Sequence, residues 1–240
     1  MKKPFLLLAA AGLLAAQFHL AAAEPTGDSP PILRRTGVSI VGEDFFINGA
    51  PTYQGRRWKG RVIEGLLFNS RMVQGIFDDQ NPATVNRWAY PDTKNWDPER
   101  NAREFIEAMP VWRQHGLLAF TINLQGGSPE GYSSAQPWHT SAIEADGSLR
   151  VDAMGRLEKI LDRADDLGMA VIPGLFYFRQ DETVRDEAAV LKAVDNATAS
   201  VVTQDDRTFL IETHHERHAP YHTPIHMPRL PPALTPPRTN

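Results

Sequence analysis

Leu117-Leu118-Ala119-Phe120-Thr121-Ile122-Asn123-Leu124, followed by Gln125-Gly126-Gly127, decides how this chain folds. The run is near-continuously apolar and carries β-branched and aromatic residues, as a strand does when helices cover its sheet. Just before it, Pro98 to His115 reads as a helix. Asp97 is a fair N-cap, Pro98 suits the first helical position, and Gly116 is a stop signal. Phe105, Ala108, Met109 and Trp112 recur at helical spacing within it. After it, Val151 to Leu167 repeats the pattern, with Met154, Leu157, Ile160, Leu161 and Ala164 as the apolar stripe and Gly168 as C-cap. Met169 to Phe178 then reads as another strand.

The rhythm extends both ways. Arg71 to Phe77 reads as an earlier strand ending in Asp78-Asp79. Asp181 to Thr203 reads as a third helix, with Asp181 opening it. Arg207 to Glu212 reads as a fourth strand that leads into Thr213-His214-His215-Glu216. Strand and helix alternating at this interval mean βαβ units and a parallel sheet of about four strands, so the fold class is α/β. Pro173 sits inside the third strand and suggests a bulge there. Upstream, Val38-Ser-Ile-Val and Phe45-Phe-Ile flank a Gly42-Glu-Asp turn, and Asn48-Gly49 marks a second tight turn. A small β-hairpin is expected to cap the domain.

Composition narrows the function. The formal charge is −4, and mild acidity argues against a nucleic-acid partner, which calls for basic stripes. There are no cysteines, which removes disulfides, thiolate zinc sites and cysteine nucleophiles together. Residues 1–23 combine Lys2 and Lys3, an apolar run and Ala21-Ala22-Ala23 before Glu24, the pattern of a cleavable signal peptide. The mature protein is therefore expected to be secreted or periplasmic, with no membrane segment after cleavage. Residues 24–37 read as a linker and 38–216 as the folded domain. Residues 217–240 read as a Pro- and His-rich disordered tail, since seven prolines between Pro220 and Pro237 cannot build ladders or helices.

In parallel α/β architectures function gathers at the C-terminal ends of the strands. Here those ends carry Asp78-Asp79, Asn123-Leu-Gln125, Tyr177-Phe-Arg-Gln180-Asp181 and His214-His215-Glu216. The loops beyond them add Trp88, Tyr90, Trp96, Tyr132, Trp138 and His139. The connections at the opposite ends are short and plain, such as His115-Gly116 and Leu167-Gly168. Aromatic faces stack on the C–H surfaces of sugars, and amides and carboxylates bond hydroxyls. The decorated face therefore suits carbohydrate. Asp78, Asp79 and Asp181 are open between further catalytic carboxylates and loop or cap roles. The histidines from His214 to His226 are read as compositional rather than as a metal site.

With the strand series, Phe45-Phe-Ile-Asn-Gly-Ala-Pro51 and a Glu after the fourth strand, the chain resembles the retaining glycoside hydrolases built on (β/α)8 barrels. Ile63-Glu-Gly-Leu-Leu-Phe-Asn-Ser-Arg-Met72 and Trp88-Ala-Tyr-Pro-Asp-Thr93 resemble, more narrowly, uncharacterised exported bacterial proteins of that barrel type. The resemblance implies an incomplete TIM-type barrel, ending after its fourth strand. It implies Glu216 as the acid/base, protonating the leaving oxygen with a pKa raised by a dry pocket. His215 stands where that family has Asn. Trp88 and Trp138 would stack on sugar rings; Gln125, His139, Tyr177 and His215 would orient hydroxyls. No cofactor and no metal are implied. The family's nucleophile follows a seventh strand and has no counterpart here. Retention needs two carboxylates about 5–5.5 Å apart, so a non-catalytic carbohydrate-binding remnant and a non-functional gene fragment remain alternatives. The open sheet edges of a half-barrel invite self-association.

Overall fold

A computed structural model describes residues 35–130, 135–202 and 212–215 of the chain. The expected signal peptide, most of the linker, Tyr132, Glu216 and the Pro-rich tail lie outside these residues.

The chain begins with an antiparallel cap. Strands β1 (Val38–Val41), β2 (Asp44–Ile47) and β3 (Ala50–Pro51) pair in that order. Asn48 and Gly49 both have positive φ, 53° and 77°, the backbone that a two-residue type I′ turn demands. The cap thus has one strand more than the expected hairpin. A second small hairpin, β4 (Arg57–Trp58) with β5 (Arg61–Val62), follows it. The supposed linker is anchored at its end: the Asp165 carboxylate accepts the backbone N–H groups of Arg35 (2.9 Å) and Thr36 (2.7 Å), and Thr36 is buried.

The central layer is a parallel sheet in the order β6 (Asn69–Arg71), β7 (Ala119–Asn123), β8 (Ala170–Tyr177), β9 (Glu212–His215). Helices α1 (Pro98–Gln114), α2 (Val151–Leu167) and α3 (Glu187–Val202) form the crossovers. Strands are added in chain order without reversal. With right-handed crossovers, that order puts successive helices on one face of the sheet. The class is therefore mixed α/β with a parallel sheet. A closed barrel is not seen among the described residues.

Packing explains the alternation along β7. Phe120 meets Phe105 of α1 edge-on at 5.5 Å, and Ile122 lies beside Phe105 and Gly75, where an added Cβ would stand 2.7 Å from Ile122 Cδ1. Phe120 and Ile122 thus join the core with Met109, Leu157, Ile160, Val171 and Leu175. Thr121 and Asn123 alternate onto the other face. Each of these core side chains contributes roughly 1.5–3 kcal/mol when fully buried.

Local signals set the helix ends. Asp97 accepts from Arg100 N at 2.8 Å with Pro98 in the first turn, and Gly168 ends α2 in the left-handed conformation at φ 63°. Among the described residues no helix is long and apolar enough to cross a membrane.

Four expectations need correction. The first parallel strand is Asn69–Arg71, not Arg71–Phe77: one further ladder bond, Met72 N to Thr121 O, is made, and then the chain turns toward Ile122 at Gly75. The third helix does not begin at Asp181. Asp181–Thr183 is an isolated 3-10 turn, and Asp186 caps α3 by accepting from Ala189 N at 2.9 Å. The fourth strand is Glu212–His215, later than the expected Arg207–Glu212. Pro173 causes no bulge, since the β7–β8 register runs unbroken from Ala119↔Ala170 to Asn123↔Gly174. Ala170 N donates to Leu118 O, and Leu124 N donates to Gly174 O. The even-numbered peptides of β8 therefore face β7, and the nitrogen of Pro173 faces away, where its missing N–H costs that ladder nothing.

Candidate functional site

Three loops rise from the C-terminal ends of β6, β7 and β8, and buried polar side chains lock them together. The first is organised by Asp79. Its Oδ1 accepts from Asn81 N (3.0 Å) and His139 N (2.9 Å), and its Oδ2 accepts from Thr84 Oγ1 (2.7 Å) and Trp88 Nε1 (3.0 Å). Four donors satisfy one carboxylate that is 3% exposed. Asp78 accepts from Trp96 Nε1 at 3.0 Å and lies 3.4 Å from Arg150. Both aspartates are thus fastened to the loop.

Above them the aromatic rings pack on each other. Phe77 lies 4.3 Å from Trp88 and 4.6 Å from Trp96, and Trp96 stacks on Tyr90 at 6.0 Å. The Arg100 guanidinium covers the other side of Tyr90 at 3.9 Å and pairs with Asp92 and Glu104. Burial, aided by a hydrogen bond to Glu104, pushes the Tyr90 hydroxyl up to about 12.

The second and third loops meet through two glutamines. Gln125 Oε1 accepts from Tyr177 N (2.8 Å), while its Nε2 donates to Ser141 Oγ (3.1 Å) and Gln180 O (3.2 Å). Gln180 Nε2 donates to Trp138 O (2.8 Å), and its Oε1 accepts from Thr140 N (3.3 Å). Both amides are bonded at oxygen and nitrogen, and both are buried.

The expected sugar contacts therefore separate into groups. Trp138 is 1% exposed, with its indole N–H given to Gln136, so neither ring face is open to a sugar. The stacking role expected for Trp138 is corrected on that ground: the loop folds inward to bury the ring. Gln125 is a brace, with no hydrogen-bonding capacity turned outward. Trp88 is half-buried and His139 is exposed, so both reach the surface of this end, joined through Asp79. Tyr177 is buried at the end of β8, with its hydroxyl beside Gly127, and His215 pairs with it across the β8–β9 ladder. Glu216 follows β9 in sequence and lies outside the described residues. Among the described residues no three His, Asp or Glu converge as a metal site.

One strand-end residue carried no role in the sequence reading. Asn123, the last residue of β7, is 1% exposed, and among the described residues neither its Nδ2 nor its Oδ1 has a hydrogen-bond partner. It lies over its cross-strand neighbour Gly174, where an added Cβ would stand 2.4 Å from Asn123 Oδ1. A small residue opposite a polar strand end was the available signal.

Open space also lies at the other end of the sheet. A cleft of about 410 Å³ opens between the antiparallel cap and the turns that precede β7 and β8, and an adjoining, more apolar groove of about 560 Å³ runs past β6. No protein-family model, no curated protein and no solved structure matches this chain.

Proposed function

We propose that the chain is an exported, glycoside-hydrolase-like protein that binds carbohydrate at the C-terminal ends of its parallel strands. The observation that carries this reading is the sheet itself. Its strands follow one another in chain order, as in a singly wound barrel, and aromatic rings, amides and a carboxylate gather where such folds keep their sites. In this reading the four strands are half of a TIM-type barrel. Glu216 acts as general acid where a second carboxylate is supplied. Trp88 stacks on a sugar ring, and His139, Tyr177, His215 and Asn123 hold its hydroxyls. Asn123 supports the reading because an unpartnered buried amide costs about 1–3 kcal/mol, a cost that a hydroxyl ligand would recover.

The edge position of β6 and the nearby exposure of Leu66 (44%) and Phe68 (50%) support self-association along that edge.

The test compares the chain with Glu216→Gln across a panel of oligosaccharides, by calorimetry and by reducing-sugar release. Binding in both proteins, with release only in the unsubstituted one, is expected of a glycosidase. Binding without release in either identifies a binding remnant. Absence of binding to every sugar overturns the proposal.

A further inference from the structure

The cleft beneath the cap differs in chemistry from the strand-end loops. Its polar lining is Asn48, Thr52, Tyr53, Arg56, Arg113 and Gln114, with His115 at the rim and no carboxylate among the lining residues. Among the described residues neither Arg56 nor Arg113 has an ion-pair partner, whereas Arg87, Arg100, Arg150, Arg156 and Arg185 do and Arg57, Arg61, Arg103 and Arg179 do not. Glu64, which follows the second hairpin, accepts from the backbone N–H of Gly55.

Helix C-termini face this cleft, and their exposed carbonyls would repel an anion. Here several of those carbonyls are already occupied. Arg113 Nε donates to Leu167 O (2.9 Å), the Tyr53 hydroxyl donates to Gly116 O (3.1 Å), and Trp112 O and Ala164 O accept from Leu117 N and Met169 N. Arg113 thereby spends one N–H and keeps its terminal nitrogens for another acceptor. Both guanidinium groups act on the Tyr53 hydroxyl: burial raises its pKa, and the charges of Arg113 and Arg56 oppose that rise.

The backbone here is held in an uncommon conformation. Tyr53 has φ 52° and Asn48 φ 53°, and both residues line the cleft. Asparagine takes this conformation readily; tyrosine does so only when the surroundings impose it. From this position the Tyr53 hydroxyl reaches Gly116 O at 3.1 Å.

We propose that this cleft binds a small oxyanion, a phosphate or carboxylate group, between Arg56 and Arg113. Charge-assisted bonds from the guanidinium groups hold the anion, and Tyr53, Asn48 and Gln114 orient the rest of the ligand. The site lies at the end of the sheet opposite the strand-end loops and stands independently of the carbohydrate reading.

The experiment is calorimetric titration of the chain with inorganic phosphate and, separately, with citrate, at ionic strength held constant with chloride. Saturable one-site binding with a Kd below about 1 mM is expected for at least one probe, and the preferred probe separates a phosphate from a carboxylate ligand. Arg56→Gln, on the exposed rim, is expected to weaken that binding at least tenfold with an unchanged circular dichroism spectrum. Arg113→Gln should do the same, and if its loss of the bond to Leu167 unfolds the protein, Arg56→Gln alone decides. No saturation by either probe at about 10 mM, or equal binding by Arg56→Gln, overturns the site.

Discussion

The two ends of the parallel sheet use polar residues in opposite ways. At the C-terminal end, Asp79, Gln125 and Gln180 are buried and bonded to protein groups throughout. At the N-terminal end, Arg56 and Arg113 face a cleft with no carboxylate in its lining. Residue types that suggest chemistry are thus mostly scaffold at the first end, while the second, plain in sequence, keeps unspent charge. A polar residue at a strand end can serve a site only with the donors and acceptors that its own scaffold bonds leave over. Partly filled sites bind; filled ones hold loops together.

The largest effect should come from emptying the best-filled position. Asp79→Ala strips four hydrogen bonds from one buried carboxylate and leaves the indole N–H of Trp88 and the hydroxyl of Thr84 without their acceptor. A loss of at least about 3 kcal/mol is expected, read as a lower urea midpoint. A loss under about 1 kcal/mol would show that the loop is held by its rings, and would erase the contrast between the two ends.

A smaller loss is expected at Arg156, which joins three elements. It is 2% exposed, donates to Ile76 O at 2.8 Å, and meets Glu99 at 3.0 Å and Asp152 at 3.4 Å. Arg156→Met keeps most of the volume, but leaves Ile76 O unbonded, for about 2 kcal/mol. The variant should also change the acid response. The Arg156 hydrogen bond, more than any other cause, holds the Glu99 carboxyl below its ordinary value of 4.5. A depressed acid adds stability above its unfolded pKa and loses it as pH falls through the folded one. That part of the loss below pH 4.5 should shrink in Arg156→Met, when urea midpoints are compared between pH 7 and pH 3.

The parallel layer was legible because its signals are local. Asp97-Pro98, Gly116 and Gly168 mark helix ends within a few residues, and the apolar runs 117–124 and 169–178 stand apart from helical spacing. The strand that reads worst is β6, since its end is set by the packing of Gly75 under Ile122, a contact between distant residues. The same limit applies to Trp138 and Gln125. Their side chains suit sugar binding equally well whether buried or open, and only the fold of residues 138–141 against Gln180 decides which. The basic cleft was illegible for the same reason: Arg56 and Arg113 are far apart in sequence, and the cap brings them together.

The smallest effect on stability separates a binding residue from a structural one. Asn123→Ala removes an amide that makes no hydrogen bond among the described residues, so nothing bonded there is lost and an unsatisfied buried group disappears. Truncating the side chain leaves a small void, which opposes that gain. The two terms are comparable, and the urea midpoint should move by less than about 0.5 kcal/mol either way. Every scaffold position of that burial should cost more, as Asp79 does. If Asn123 is kept for a ligand, the same substitution should weaken oligosaccharide binding at least tenfold while leaving phosphate or citrate binding beneath the cap unchanged. A clear destabilisation would instead mean that the amide serves the fold. Asn123 would then join Gln125 and Gln180 among the filled positions, and the case for a sugar at this end would rest on Trp88, His139, Tyr177 and the residues after β8 alone.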